Sequence, residues 1–133
     1  MTASSRRERI QLEAPLAPDF QPVVRLIIGG IAERVDFAFE EIDDLQLAVE
    51  RLLAEARFED RVTLSFEILE RSVRVRIGPI LTGAVAEALQ GPSARPGELT
   101  LGRILQTVVD SYGVEKVEDG HMVVRLEKAV RRA

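Results

Sequence analysis

The charged residues best placed to do chemistry lie on one segment, residues 43–56, which reads DDLQLAVERLLAEA. A carboxylate such as Glu50 or Glu55 can act as a general base, whereas a cation such as Arg51 cannot. Arg51 and Glu55 are four residues apart, so on a helix their side chains are neighbours and can form an ion pair. We predict that they form this solvated pair and take no part in catalysis.

The single histidine, His121, and the acidic run at residues 40–44 are two further candidates for chemistry. The chain has no cysteine and no second histidine that could complete a metal site around His121. A nucleophile for His121 to activate would have to come from elsewhere in the fold. Carboxylates at a helix start are favoured by the helix dipole alone. We therefore predict a surface histidine, an acidic helix start and no metal site.

The segment at residues 43–56 resembles the first ATP-site helix of the anti-sigma-factor serine kinases, whose pattern is D-L-x-L-A-V-x-E-x-x-x-N-A. In that family the Glu activates the nucleophile and the Asn holds the magnesium carried by ATP. Arg51 and Glu55 stand in those two places here, so the resemblance implies that no catalytic residue is retained. Glu50 lies one residue before the family's Glu, a rotation of about 100° on a helix, and should face away from the site.

Two later motifs of the family also lack their working residues. In the motif D-x-G-x-G, Ile77 stands where the adenine-binding Asp is expected, and the matching strand keeps one glycine, Gly78. The unpaired adenine amino group would cost roughly 1–3 kcal/mol. In the motif G-x-G-L-x-L-I, Leu99 and Leu101 take the glycine places, or Gly102 takes one in a shifted alignment. Gly78 and Gly102 are therefore the remaining nucleotide-binding candidates, and we expect neither ATP nor magnesium as a cofactor.

Composition indicates one small soluble domain. The chain has 133 residues with 18 basic and 22 acidic side chains, a net charge of −4 that does not favour nucleic acid. The absence of cysteine excludes disulfides and fits a reducing cytoplasm. No apolar run is long enough to span a bilayer, and the first ten residues lack the apolar core of a signal peptide. We expect a cytoplasmic protein that binds neither nucleic acid nor membrane.

Hydrophobic periodicity predicts the order strand, helix, helix, two strands, helix, two strands, which is the order of the kinase family. We expect an α/β (α+β) two-layer sandwich of the histidine-kinase-like ATPase fold, with a mixed, mostly antiparallel sheet and the helices on one face. Asp19 is the expected cap of the first helix, and Asp119-Gly120 the expected hairpin turn. Further expected segments are a second helix at 40–57, a short helix at 81–90, a loop at 91–97 in the place of the ATP lid, and strands at 9–13, 112–118 and 121–127.

The first helix carries an apolar stripe of Val24, Ile27, Ile28 and Ile31, spaced to pack against the sheet. Gly29 and Gly30 weaken this helix by about 1 kcal/mol each, and we expect them to permit close packing. We expect the folded domain to span residues 9–128, between flexible tails at 1–8 and 129–133.

The resemblance implies a bacterial anti-sigma-type regulator that binds a sigma factor or its antagonist in partner switching. An alternative is an unorthodox ATP-dependent serine kinase in which Glu50 or Glu55 serves as base. A third possibility is a regulatory domain that acts by forming a homodimer through its arginine-bearing sheet face.

Overall fold

A computed structural model of the chain describes residues 8–15, 20–55, 61–81, 89, 100–116 and 120–131. Asp19, Leu99, Asp119, the loop at 91–97 and almost all of the predicted helix at 81–90 lie outside these residues. Predictions about them stay predictions.

The described elements follow the predicted order. They are β1 (Glu8–Pro15), α1 (Gln21–Arg34), α2 (Phe39–Glu55), β2 (Arg61–Ile68), β3 (Ser72–Leu81), α3 (Leu101–Val108), β4 (Ser111–Lys116) and β5 (His121–Ala129). Phe20 precedes α1 without a side-chain cap, and a proline follows in the first turn. Proline is tolerated there because the first N–H groups of a helix have no partner within the helix.

The five strands form one sheet in the order β1-β2-β3-β5-β4, and all neighbouring strands are antiparallel. Alternate side chains of each strand point to opposite faces. One face is apolar and buried beneath the helices; its central residues are Leu64, Phe66, Val73, Val75, Ile77, Met122, Val124 and Leu126. The predicted two-layer sandwich is therefore confirmed, and it is consistent with the histidine-kinase-like ATPase fold.

The opposite face of the sheet carries charged side chains that bond to one another. Arg74 contacts Glu67 at 3.1 Å and Glu127 at 3.3 Å, and Arg76 contacts Glu67 at 3.5 Å and Glu115 at 3.4 Å. Cross-strand pairs of opposite charge stabilise a sheet. The arginines that the sequence places on this face are thus bonded within the chain.

The helices bury one stripe each against the sheet. In α1 the buried residues are Val24, Ile28, Ile31 and Ala32, which largely matches the predicted stripe, with Ile27 only partly buried. Gly29 and Gly30 differ from expectation: a methyl group added at either position would have no atom of another residue within 4 Å, apart from neighbours in its own helix. The described helices are all too short or too polar to cross a membrane.

The two ends of the sheet can be told apart by the strand register. We call the end where Gly78 pairs with Thr63 and Met122 lies nearby the upper end, and the end where Val73 pairs with Lys128 the lower end. At the lower end, Glu41 near the start of α2 accepts a hydrogen bond from the Arg131 N–H. Helix α3 also finishes there, so α2 runs upward and α3 runs downward.

Candidate functional site

Three charged residues of α2, namely Asp44, Arg51 and Glu55, lie on the side of the helix that faces α3. Asp44 Oδ2 lies 3.1 Å from Lys128 Nζ, and the same ammonium donates to the Val108 carbonyl at the end of α3, at 2.9 Å. Arg51 and Glu55 follow Asp44 by seven and eleven residues, so all three lie within about 20° of one line along the helix. Arg51 and Glu55 therefore face the α3 side, near the upper end of the sheet.

Arg51 and Glu55 form the predicted ion pair. Arg51 Nη2 lies 3.2 Å from Glu55 Oε2, and the side chains are 42% and 35% exposed. The Nε atom of Arg51 is buried, and no group in the described part of the chain accepts a hydrogen bond from it. Glu55 is thus held by a neighbouring cation, and Arg51 offers only donors to anything that approaches it.

Glu50 faces the other side of α2, as predicted. It forms a two-point contact with Arg25 of α1, in which Arg25 Nη2 lies 3.1 Å from Glu50 Oε1. The hydrogen bond and charge of Glu50 raise the pKa of Arg25 above its usual value. Because Glu50 is directed towards α1, it cannot reach the α3 side of α2, where Arg51 lies, without a rotation of the helix.

Ile77 and Gly78 lie at the upper end of β3, on opposite faces of the sheet. Ile77 is fully buried in the apolar core. Gly78 is on the outer face, where an added Cβ would come within 2.8 Å of Val123 Cγ2 and 3.0 Å of the Met122 carbonyl oxygen. This crowding between strands is enough to require glycine at position 78 without any ligand.

The start of α3 is capped from within the chain. Thr100 Oγ1 accepts a hydrogen bond from the Arg103 N–H at 3.2 Å. The following residues, Leu101 and Gly102, are both buried. A phosphate at a helix start needs free N–H groups, and the threonine cap already takes one of them.

Sequence reasoning missed the buried polar contacts at the lower end. Lys128 is 3% exposed and occupies a core-facing position of β5, two residues after Leu126. Glu41 is also 3% exposed and accepts from the Ala38 N–H at 2.6 Å as well as from Arg131. The helix dipole alone does not account for these two acidic residues, Glu41 and Asp44. Side chains of β5 alternate strictly between the two faces of the sheet, and this alternation could have predicted that Lys128 lies on the buried face.

His121 begins β5 with a partly exposed side chain. Within the described ranges, no three histidine, aspartate or glutamate side chains are grouped closely enough to hold a metal ion.

Sequence comparison relates the chain to bacterial kinases. It is similar to the serine-protein kinase RsbW of Listeria innocua serovar 6a, with 27% identity over 81 residues, which are 56% of this chain and 52% of that protein. RsbW of Listeria monocytogenes serotype 4a is 30% identical over the same shares, and RsbW of Oceanobacillus iheyensis is 29% identical over 55% of this chain and 51% of its own length. The chain is thus similar over about half of its length to serine-protein kinases named RsbW.

The likeness to these serine-protein kinases covers part of each protein. The chain spans about half the length of the curated relatives that it matches. No protein-family model matches it. This similarity agrees with the order of strands and helices, and it directs attention to the upper end of the α2–α3 interface, where Arg51 and Glu55 lie.

Proposed function

We propose that this chain is an anti-sigma-type regulator of the bacterial cytoplasm that binds a sigma factor or its antagonist through its protein surface and transfers no phosphoryl group. The observation that carries the proposal is the ion pair between Arg51 and Glu55. It puts a permanent cation in the place where phosphoryl transfer needs a carboxylate base.

A magnesium nucleotide does not fit the residues at this end of the molecule. Magnesium is held by oxygen ligands, and the guanidinium of Arg51 would repel it. Ile77 is enclosed in the core and offers adenine no hydrogen-bond acceptor. Thr100 caps the helix start at which phosphates would bind.

A protein partner is supported by the relatives. Their name, serine-protein kinase, makes a protein their substrate. A chain that keeps the fold and loses the chemistry can retain recognition of such a protein. Its acidic net charge disfavours nucleic acid as the partner.

Calorimetry with ATP or ADP and magnesium tests the absence of a nucleotide site. We expect dissociation constants above about 1 mM, worth less than about 4 kcal/mol of binding free energy. Binding of purified sigma factors and their antagonists from the same genome, measured in the same way, tests the partner. Micromolar ATP affinity together with phosphorylation of an antagonist would replace the proposal with the kinase alternative.

A further inference from the structure

The outer surface of the first two helices exposes apolar side chains that nothing described in the chain covers. We call residues 20–55, which comprise α1, α2 and their connection, the α1–α2 hairpin. Leu26 in the middle of α1 is 77% exposed, and Val23 on the same helix is 39% exposed. Leu47 on α2 is 42% exposed. The two helices are joined beside these residues by the Arg25–Glu50 pair and by a hydrogen bond from Gln46 Nε2 to the Arg25 carbonyl.

Two glycines on α1 accompany this apolar surface. Glycine is among the least favourable residues in the interior of a helix, yet Gly29 and Gly30 follow Leu26 by three and four residues. The open space beside them shows that packing within the described structure does not require glycine at either position. A backbone without side chains beside an exposed leucine lets another element approach α1 closely.

The α1–α2 hairpin has a large excess of negative charge. It contains eight carboxylates and three arginines, an excess that is larger than the net charge of −4 of the whole chain. All three arginines are already paired, Arg25 with Glu50, Arg34 with Glu8, and Arg51 with Glu55.

By contrast, Glu33, Asp36 and Glu40 are exposed and form no ion pair within the described residues. The charges left uncompensated around the apolar surface are therefore negative.

We propose that the outer face of the α1–α2 hairpin docks an amphipathic helix of a protein partner, whose apolar stripe covers Leu26 and whose lysines or arginines face Glu33, Asp36 and Glu40. This inference rests on the proposed binding function and specifies the chemistry of its partner. An apolar stripe with basic flanks matches both the exposed leucines and the unpaired carboxylates. A second copy of the chain would instead bring two acidic surfaces together, and nucleic acids or anionic membranes would be repelled.

Two synthetic peptides of about 15 residues test the proposed chemistry. Both place leucines at i, i+3, i+4 and i+7, and they differ in having lysine or glutamate at the remaining polar positions. We expect the lysine peptide to perturb the amide resonances of α1 and α2 and to bind more weakly as salt screens the charges. Equal binding of the glutamate peptide, or perturbations confined to other elements, would overturn the proposal. Self-association through α1 in sedimentation, without peptide binding, would assign the surface to a second copy instead.

Three variants locate the contact. Leu26→Ser should weaken binding of the lysine peptide roughly tenfold, the loss of one well-buried apolar contact. Gly30→Ala should raise the unfolding temperature because alanine favours the helix, while weakening binding because a methyl group obstructs close approach. The control, Val114→Ser, changes a valine on β4 that is 46% exposed, and it should leave binding unchanged.

Gly30→Ala tests whether the glycine serves binding or only weakens the helix, because binding predicts a higher unfolding temperature together with a lower peptide affinity. A higher unfolding temperature with unchanged peptide affinity would overturn the close-approach argument. If the chain binds ATP tightly and also docks the peptide, only the proposed loss of kinase activity is refuted. If the chain binds a sigma factor or antagonist but does not dock the peptide, only the proposed docking site on the α1–α2 hairpin is refuted.

Discussion

The lower and upper ends of the helix layer hold their charged side chains in different ways. At the lower end, Lys128 is buried and bonds to both Asp44 and the Val108 carbonyl, and Asp110 accepts from the Ala129 N–H at 2.7 Å. At the upper end, Arg51 and Glu55 bond mainly to each other and are partly exposed, and one buried N–H of Arg51 has no described partner.

The difference separates buried polar groups that hold the fold together from a half-exposed ion pair at the positions where the resemblance to serine kinases predicts catalytic residues. A buried ammonium must keep its partners because an unpaired charge in the interior is very unfavourable. A half-exposed ion pair on one helix can be changed with little effect on stability. We therefore expect substitutions of Arg51 and Glu55 to leave the fold intact.

The largest effects should come from the apolar core that lies beneath both ends. Changing Val49 or Leu105 to alanine should cost roughly 2–5 kcal/mol of unfolding free energy, because both side chains are fully buried. Urea titration followed by circular dichroism measures this. Losses below about 1 kcal/mol would mean that these helix faces do not pack on the sheet.

The lower end should show the next largest effect. Lys128→Ala leaves Asp44 and the Val108 carbonyl without their shared donor, and should cost about 2–3 kcal/mol. The loss should stay below that of a fully buried pair because solvent reaches Asp44, which is 32% exposed. Asp44→Asn is the matched control, since its amide oxygen can still accept from Lys128, and it should cost less in the same titration. A larger loss for Asp44→Asn than for Lys128→Ala would contradict the role given to Lys128.

Periodicity predicted the elements well because burial of one face imposes a regular pattern on each of them. The alternation at Val62, Leu64 and Phe66 is of this kind. The Arg51–Glu55 pair and the direction of Glu50, away from the α3 side of α2, were also predictable, since both follow from helical geometry alone. The contact of Lys128 with Asp44 spans 84 residues. It depends on how α2, α3 and β5 come together, which spacing along the chain does not specify. The same holds for Gly78, whose crowding by Val123 arises only once β3 and β5 pair.

The upper end should tolerate loss of either partner of its ion pair. Arg51→Ala and Glu55→Ala should each cost less than about 1 kcal/mol, because solvent screens a half-exposed pair and removal of Arg51 also removes an unpaired buried N–H. The same denaturant series measures both variants. A loss as large as that of Lys128→Ala at either position would show that the pair is a structural contact and that the two ends are alike.

Restoring the family's two residues should produce no kinase activity. The double change Arg51→Glu and Glu55→Asn supplies a carboxylate for the base and an amide for magnesium, the groups that phosphoryl transfer needs to orient its nucleophile and neutralise charge. Ile77 would still offer adenine no acceptor, and Leu101 and the Thr100 cap would still occupy the start of α3. Without a bound nucleotide the restored groups have nothing to act on. Incubation of the double variant with labelled ATP, magnesium and an antagonist protein measures this. Serine phosphorylation that appears with these two changes, and is absent with Arg51→Gln and Glu55→Gln, would show that the nucleotide site survives at the upper end.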